Sequence, residues 1–153
     1  MKKLDSDTSS TSKNTNSKSS SRISAVGKRK TAIARVWIKP GVGNILVNRM
    51  PLEQYFSNKD NSVPTIHSNK AIEPLILGDY VDSVDVLCTV KGGGITGQAE
   101  ALRHGISKAL SILNPEMRPV LRGQGLLTRD SRKVERKKYG KHKARKSTQF
   151  SKR

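Results

Sequence analysis

Residues 84–113 read VDVLCTVKGGGITGQAEALRHGISKALSIL, and this stretch decides the fold. From Val84 to Lys91 the pattern alternates. Val84, Val86, Cys88 and Val90 fall on one face, and Asp85, Leu87, Thr89 and Lys91 on the other. Period two with β-branched residues predicts a half-buried strand. Gly92-Gly93-Gly94 then breaks the pattern, and a helix of about 16 residues is expected from near Gly97. Its apolar stripe is Leu102, Ile106, Ala109, Leu110 and Leu113, and Asn114-Pro115 ends it.

Working outward, Thr31–Ile38 (TAIARVWI) alternates in the same way. Ala32, Ala34, Val36 and Ile38 share one face; Thr31, Ile33, Arg35 and Trp37 share the other. Lys39-Pro40-Gly41-Val42-Gly43 reads as a turn, and Asn44–Asn48 as a short returning strand. The expectation is a hairpin with a long loop. Pro51–Phe56 suits a short helix with proline in its first turn, and a second short helix is expected over about Thr65–Ile72. The fold class is therefore α+β, a small sheet with helices on one face.

Composition divides the 153 residues into three parts. Residues 1–24 form a Ser/Thr/Asn/Lys-rich leader of net charge +3, expected to be disordered. Residues 25–127 supply enough chain for one modest core. Residues 128–153 form an extended basic arm, in which Val134, Tyr139, Ala144 and Phe150 are isolated apolar residues without period. Residues 117–153 carry +12 of the formal +18. With a pI near 10.5, the partner expected is a polyanion, most simply nucleic acid.

Several classes are excluded. A single cysteine, Cys88, permits no intrachain disulfide and favours a reducing compartment. No apolar run approaches a membrane span, and no signal-peptide core is present. Residues 1–24 also fit a mitochondrial transit peptide poorly, with one arginine beside Asp5 and Asp7. His67, His104 and His142 lie in unrelated contexts, and no C-x-x-C, H-E-x-x-H or G-x-S-x-G occurs. Asp79, Asp82 and Asp85 read as loop and strand-edge carboxylates rather than a metal site.

Three segments suit phosphate. The arm places twelve Lys and Arg between Arg129 and Arg153, among them Arg129, Arg132, Arg136, Lys137, Lys138, Lys141, Lys143, Arg145 and Lys146. Arginine forks onto phosphate, His142 lies among these cations, and Tyr139 and Phe150 can stack on exposed bases. Lys28-Arg29-Lys30-Thr31 combines three cations with a hydroxyl, although neighbours on a strand face opposite ways. Lys91-Gly92-Gly93-Gly94, leading into a helix, can present backbone N–H groups to an anion. The same turn reads equally as a purely structural one, and the Walker pattern is absent.

The run from Gly92 through Gly97-Gln98 to Lys108-Ala109-Leu110 resembles the signature of the ninth protein of the small ribosomal subunit, a universal family. Val26–Val36, Leu126–Asp130, Val134–Gly140 and the terminal Phe150-Ser151-Lys152-Arg153 resemble further family motifs, in family order. The resemblance covers about residues 25–153 and leaves the leader outside it. It implies an α+β domain with a left-handed βαβ crossover, like the second domain of the fifth small-subunit protein. It also implies a cytoplasmic, non-enzymatic role without cofactor. The expected partners are small-subunit ribosomal RNA of the head, peptidyl-site tRNA and neighbouring head proteins, with no membrane. By the same resemblance, the ribosomal RNA contacts fall on Lys28–Thr31, Arg35, Lys91–Gly94, Gln98, Arg122 and the arm from Arg129 to Lys146, and the tRNA contacts on Ser151, Lys152 and Arg153. Two rivals belong to other classes: a phosphate-transfer enzyme using Gly92–Gly97, and a general DNA-binding protein.

Overall fold

A computed structural model describes residues 22–57 and 66–151. Residues 1–21 of the leader, Thr65, Lys152 and Arg153 lie outside the described residues. Within them the chain forms five strands and four helices: β1 (Ile23–Arg29), β2 (Ala32–Pro40), β3 (Ile45–Val47), β4 (Met50–Pro51), α1 (Leu52–Phe56), α2 (Ile66–Leu77), β5 (Val84–Lys91), α3 (Ile95–Leu113) and α4 (Met117–Gly123).

The strands lie in the order β1-β2-β5-β3-β4. All pairings are antiparallel except β3 with β5, which is parallel. The chain therefore leaves the sheet after β4, passes through α1 and α2, and re-enters beside β3. The alternation has its expected result. Ala32, Ala34, Val36 and Ile38 of β2 and Val84, Val86, Cys88 and Val90 of β5 are all buried. Leu102, Ile106, Ala109 and Leu110 of α3 meet them in one core, joined by Ala71 and Leu75 of α2, Leu121 of α4 and Leu126. Burial pushes the Cys88 thiol up to about 12, which makes it an inert core residue.

The expected β2–β3 hairpin is not formed, because β5 lies between the two strands. Four apolar side chains on one face of β5 need a central place, and β5 finds a hydrogen-bonding partner on each edge. The 41–44 loop is instead clasped to the start of β5. Asp85 Oδ1 accepts the N–H groups of Val42 and Asn44, both at 3.0 Å, and Lys39 lies 3.2 Å from Oδ2. These bonds and that charge lower the pKa of Asp85. Asn48 then extends the β3–β5 ladder with its side-chain amide, which donates to the Val90 carbonyl at 3.1 Å and accepts its N–H at 2.9 Å.

Other boundaries also shift. The first strand is β1, starting at Ile23, so two residues assigned to the leader are in the sheet. It forms a tight hairpin with β2, in which Arg29 pairs with Ala32 around Lys30-Thr31. The second short helix runs on to Leu77 with Pro74 buried inside it. The long helix starts two residues before Gly97. No sequence pattern had marked α4.

The sheet and α3 approach closely at two glycines. A Cβ on Gly27 would stand 1.9 Å from the Ala101 carbonyl oxygen and 2.4 Å from the Gly105 nitrogen. One on Gly105 would stand 2.7 Å from Val36 Cγ2. Neither contact leaves room for a methyl group. Gly27→Ala is expected to cost about 3 kcal/mol, near the upper end for overpacked cores. Gly123→Ala, with open space around it, should change stability by less than about 1 kcal/mol. Urea unfolding of the two variants checks this; equal midpoints would rule out the close approach.

Candidate nucleic-acid interface

The cationic run at the β1–β2 turn is divided by strand alternation. Lys28 and Lys30 are exposed. Arg29 lies on the inner face with Ala25 and Gly27, and its side chain is only 12% exposed. Its Nε donates to Glu100 Oε2 at 2.6 Å, its Nη2 faces Asp130 Oδ2 at 3.0 Å, and its Nη1 donates to the Arg132 carbonyl at 2.8 Å. Lys70 completes the pairing of Glu100 at 2.7 Å. Desolvation raises the pKa of Glu100, but Lys70 and Arg29 outweigh it and the net shift is downward. Arg29 is thus committed to a bridge between the body and the root of the arm.

A second tie lies beside it. His104 Nδ1 accepts the Lys28 backbone N–H at 3.3 Å, and Nε2 lies 3.3 Å from the Leu127 carbonyl. Both bonds are satisfied together only by a neutral ring with its proton on Nε2. Burial lowers the pKa of His104; the Leu127 bond opposes this, while the charges of Lys108, Arg129 and Arg103 reinforce it. Leu126 is buried and Leu127 half-buried, so the body ends here.

The glycine turn is shaped by its neighbours. Gly92 and Gly93 have φ of +72° and +68°. A Cβ on Gly92 would meet the Thr31 carbonyl at 2.7 Å, and one on Gly93 the Ala32 Cβ at 2.9 Å. The turn therefore nestles against the hairpin tip, which brings exposed Thr31, Lys91 and Gly94 together at one end of the sheet. Gln98 serves this turn internally: its Nε2 donates to the Gly92 carbonyl at 3.2 Å, and its Oε1 accepts the Tyr55 hydroxyl at 2.9 Å. Close packing and positive φ thus account for Gly92 and Gly93, while Gly94 has open space around it.

Arg35 stands on the open face of the sheet with its guanidinium 6.0 Å from the Trp37 ring centre. Arg122 is exposed on α4. Among the described residues beyond Asp130 there is no helix or strand, and nearly every side chain is exposed, including Arg136, Lys137, Lys138, Tyr139, His142, Lys143, Arg145, Lys146, Phe150 and Ser151. Glu135 gathers Lys138 at 2.8 Å and Arg145 at 2.9 Å, Lys141 bonds the Ser147 hydroxyl, and the His142 N–H donates to the Lys146 carbonyl at 2.8 Å. Among the described residues no group of three or more His, Cys, Asp or Glu is placed to hold a metal ion, and no helix is long and apolar enough to cross a membrane.

The architecture is that of a small α+β body carrying a cationic extension clamped at its root, a class suited to polyanionic partners. The family model described as ribosomal protein S9/S16 matches residues 27–153. The small ribosomal subunit protein uS9 of Rickettsia canadensis is 56% identical over 135 residues, covering 88% of this chain and 80% of that protein. The protein of the same name from Rickettsia prowazekii is 58% identical over 133 residues, covering 87% and 79%. The chain belongs to the ribosomal protein S9/S16 family, and is therefore a structural, non-enzymatic ribosomal protein.

Two outcomes test the arm root. Arg29→Gln removes three charge-assisted contacts and should raise the rate of tryptic cleavage after Arg132 at least tenfold, since the loss of even one such bond costs roughly 1.5–3 kcal/mol. Cleavage after Arg136–Arg145 should stay unchanged. An unchanged rate at Arg132 would rule out the clamp. His104 has a lowered folded-state pKa, so the unfolded state binds its proton first. Its contribution is complete above its ordinary value of 6.5 and is lost as pH falls below it. Urea midpoints should therefore drop as pH falls below about 6.5, before the carboxylates begin to titrate. His104→Gln should flatten that drop.

Proposed function

We propose that this protein helps build the head of the small ribosomal subunit in the cytoplasm, binding ribosomal RNA with its body and its arm. The similar Rickettsia proteins are named for the small subunit. The observation that carries the reading is the arm: twelve cations from Arg129 to Arg153 follow a root held by Arg29 and His104. On this reading Lys28, Lys30, Thr31, Lys91, Gly94, Arg122 and the arm cations meet ribosomal RNA, while Arg29 and Gln98 shape the surface from within. Arg35 contributes from the open face of the sheet. Neighbouring head proteins complete the surroundings.

The arm threads through RNA, and Ser151, Lys152 and Arg153 reach the backbone of peptidyl-site tRNA. Its 26 residues from Thr128 can extend on the order of 80 Å, beyond the reach of any folded part of the chain. The arm takes its final path only on RNA, and the leader stays outside the interface. The β3–α2–β5 crossover is left-handed, as the family resemblance implies.

Deletion of Ser151–Arg153 should leave assembly into small subunits intact and weaken peptidyl-site tRNA binding. Filter binding of tRNA to reconstituted subunits checks this, and unchanged affinity would remove the three residues from the tRNA contact. Binding of the whole chain to a transcript of the small-subunit head should be salt-steep. About eight phosphate contacts give a slope of log K on log salt of roughly −6 to −7. Equal affinity for duplex DNA would favour the general DNA-binding rival.

A further inference from the structure

A groove of about 760 Å³ runs beside the arm root, between β1, α3 and α4. Lys28, Lys108, Arg118 and Arg129 line it, with His104 and Leu127 between them. All four cations are exposed. No Asp or Glu is among the lining residues. The four come from 28, 108, 118 and 129, far apart in sequence. His104 and Lys108 meet there because they are one turn apart on α3, and Ile112 follows one turn later.

We infer that this groove is a seat for an RNA backbone segment, with Lys28, Lys108, Arg118 and Arg129 contacting successive phosphates. The inference rests on the RNA-binding reading above and adds Lys108 and Arg118, which are not among the RNA contacts that the resemblance implies. Four like charges converging without a carboxylate repel one another, and a polyanion relieves that repulsion. Lys108 already donates to the Val26 carbonyl at 3.2 Å, which keeps its ammonium at the groove. The groove is also continuous with the arm through Arg129. Asp130, the next residue, is paired with Arg29 and Arg132, so a strand of RNA leaving the arm meets that carboxylate already neutralised. An acidic protein segment is the competing occupant. It fits less well, because the arm with which the groove is continuous is itself cationic and suited to a long polyanion.

The test uses the full chain and a transcript of the small-subunit head. Lys108→Gln with Arg118→Gln removes two exposed charges. Each phosphate contact contributes about 0.7–0.9 to the salt slope, so the slope should become shallower by roughly 1.4–1.8 and affinity near 0.15 M salt should fall about 20-fold. Lys108→Arg with Arg118→Lys should restore both. In addition, a photo-crosslinker on Ile112→Cys should attach to RNA in reconstituted small subunits; buried Cys88 does not compete for the reagent. An unchanged slope in the double variant, beside a steep wild-type slope, would overturn the groove and leave the RNA-binding reading standing. Crosslinks to a protein neighbour alone would also overturn it. A wild-type chain that fails to prefer head RNA would overturn the reading itself.

Discussion

The contact on which the structure depends is the approach of α3 to β1 at Gly27 and Gly105. With no side chain on either side, the helix lies directly on the strand, and its next turns come within bonding range of β1. Glu100, His104 and Lys108 are spaced by four residues on α3. They bond in turn the Arg29 side chain, the Lys28 N–H and the Val26 carbonyl. Three successive helical turns therefore stitch the outer strand of the sheet. β1 is an edge, and edges left bare invite pairing with other chains. Here the helix covers that edge with side chains, and only the lost methyl groups make this possible.

The same geometry sorts the cations. A strand sends neighbours to opposite sides, so of Lys28, Arg29 and Lys30 only Arg29 turns toward the helix. There it finds Glu100 and then Asp130, two of the few carboxylates near the arm. Partly buried charges survive only with partners, and Arg29 has three. Its neighbours keep their charge for solvent and for phosphate. The carboxylates of this region thus serve to hold the root, and Asp130, held low by its bonds to Arg132 and by the Arg29 charge, stays ionised through the physiological range.

Local pattern made β2, β5 and α3 legible from sequence, because each has a long period with a fully apolar face. Strand order was not legible. β5 lies beside β2 because its apolar face takes the central place, and no spacing announces the clasp between Asp85 and the 42–44 backbone that accompanies it. In the sequence Asp85 reads only as a strand-edge carboxylate on the outer face of β5. Arg29 was read as a phosphate contact because a run of cations does not reveal which member faces inward; the inner register of Ala25 and Gly27 was the available clue. α4 was missed since Pro119 and Gly123 disguise a seven-residue helix. The groove was invisible for a simpler reason: its cations come together only through the fold.

A fixed root changes what an arm of this length can do. Ordering backbone costs roughly 1–2 kcal/mol per residue, so binding the arm from free solution would demand many phosphate contacts at once. Anchored by the body, each contact becomes intramolecular and is favoured by a high local concentration. That advantage holds only if the arm starts in the right direction, since a linker unable to span the sites gains nothing. The Arg29 bridge and the His104–Leu127 tie supply the direction before any partner is present. The body therefore does more than add affinity, because it sets the point and angle from which a sequence of otherwise weak, screened contacts can be made in order.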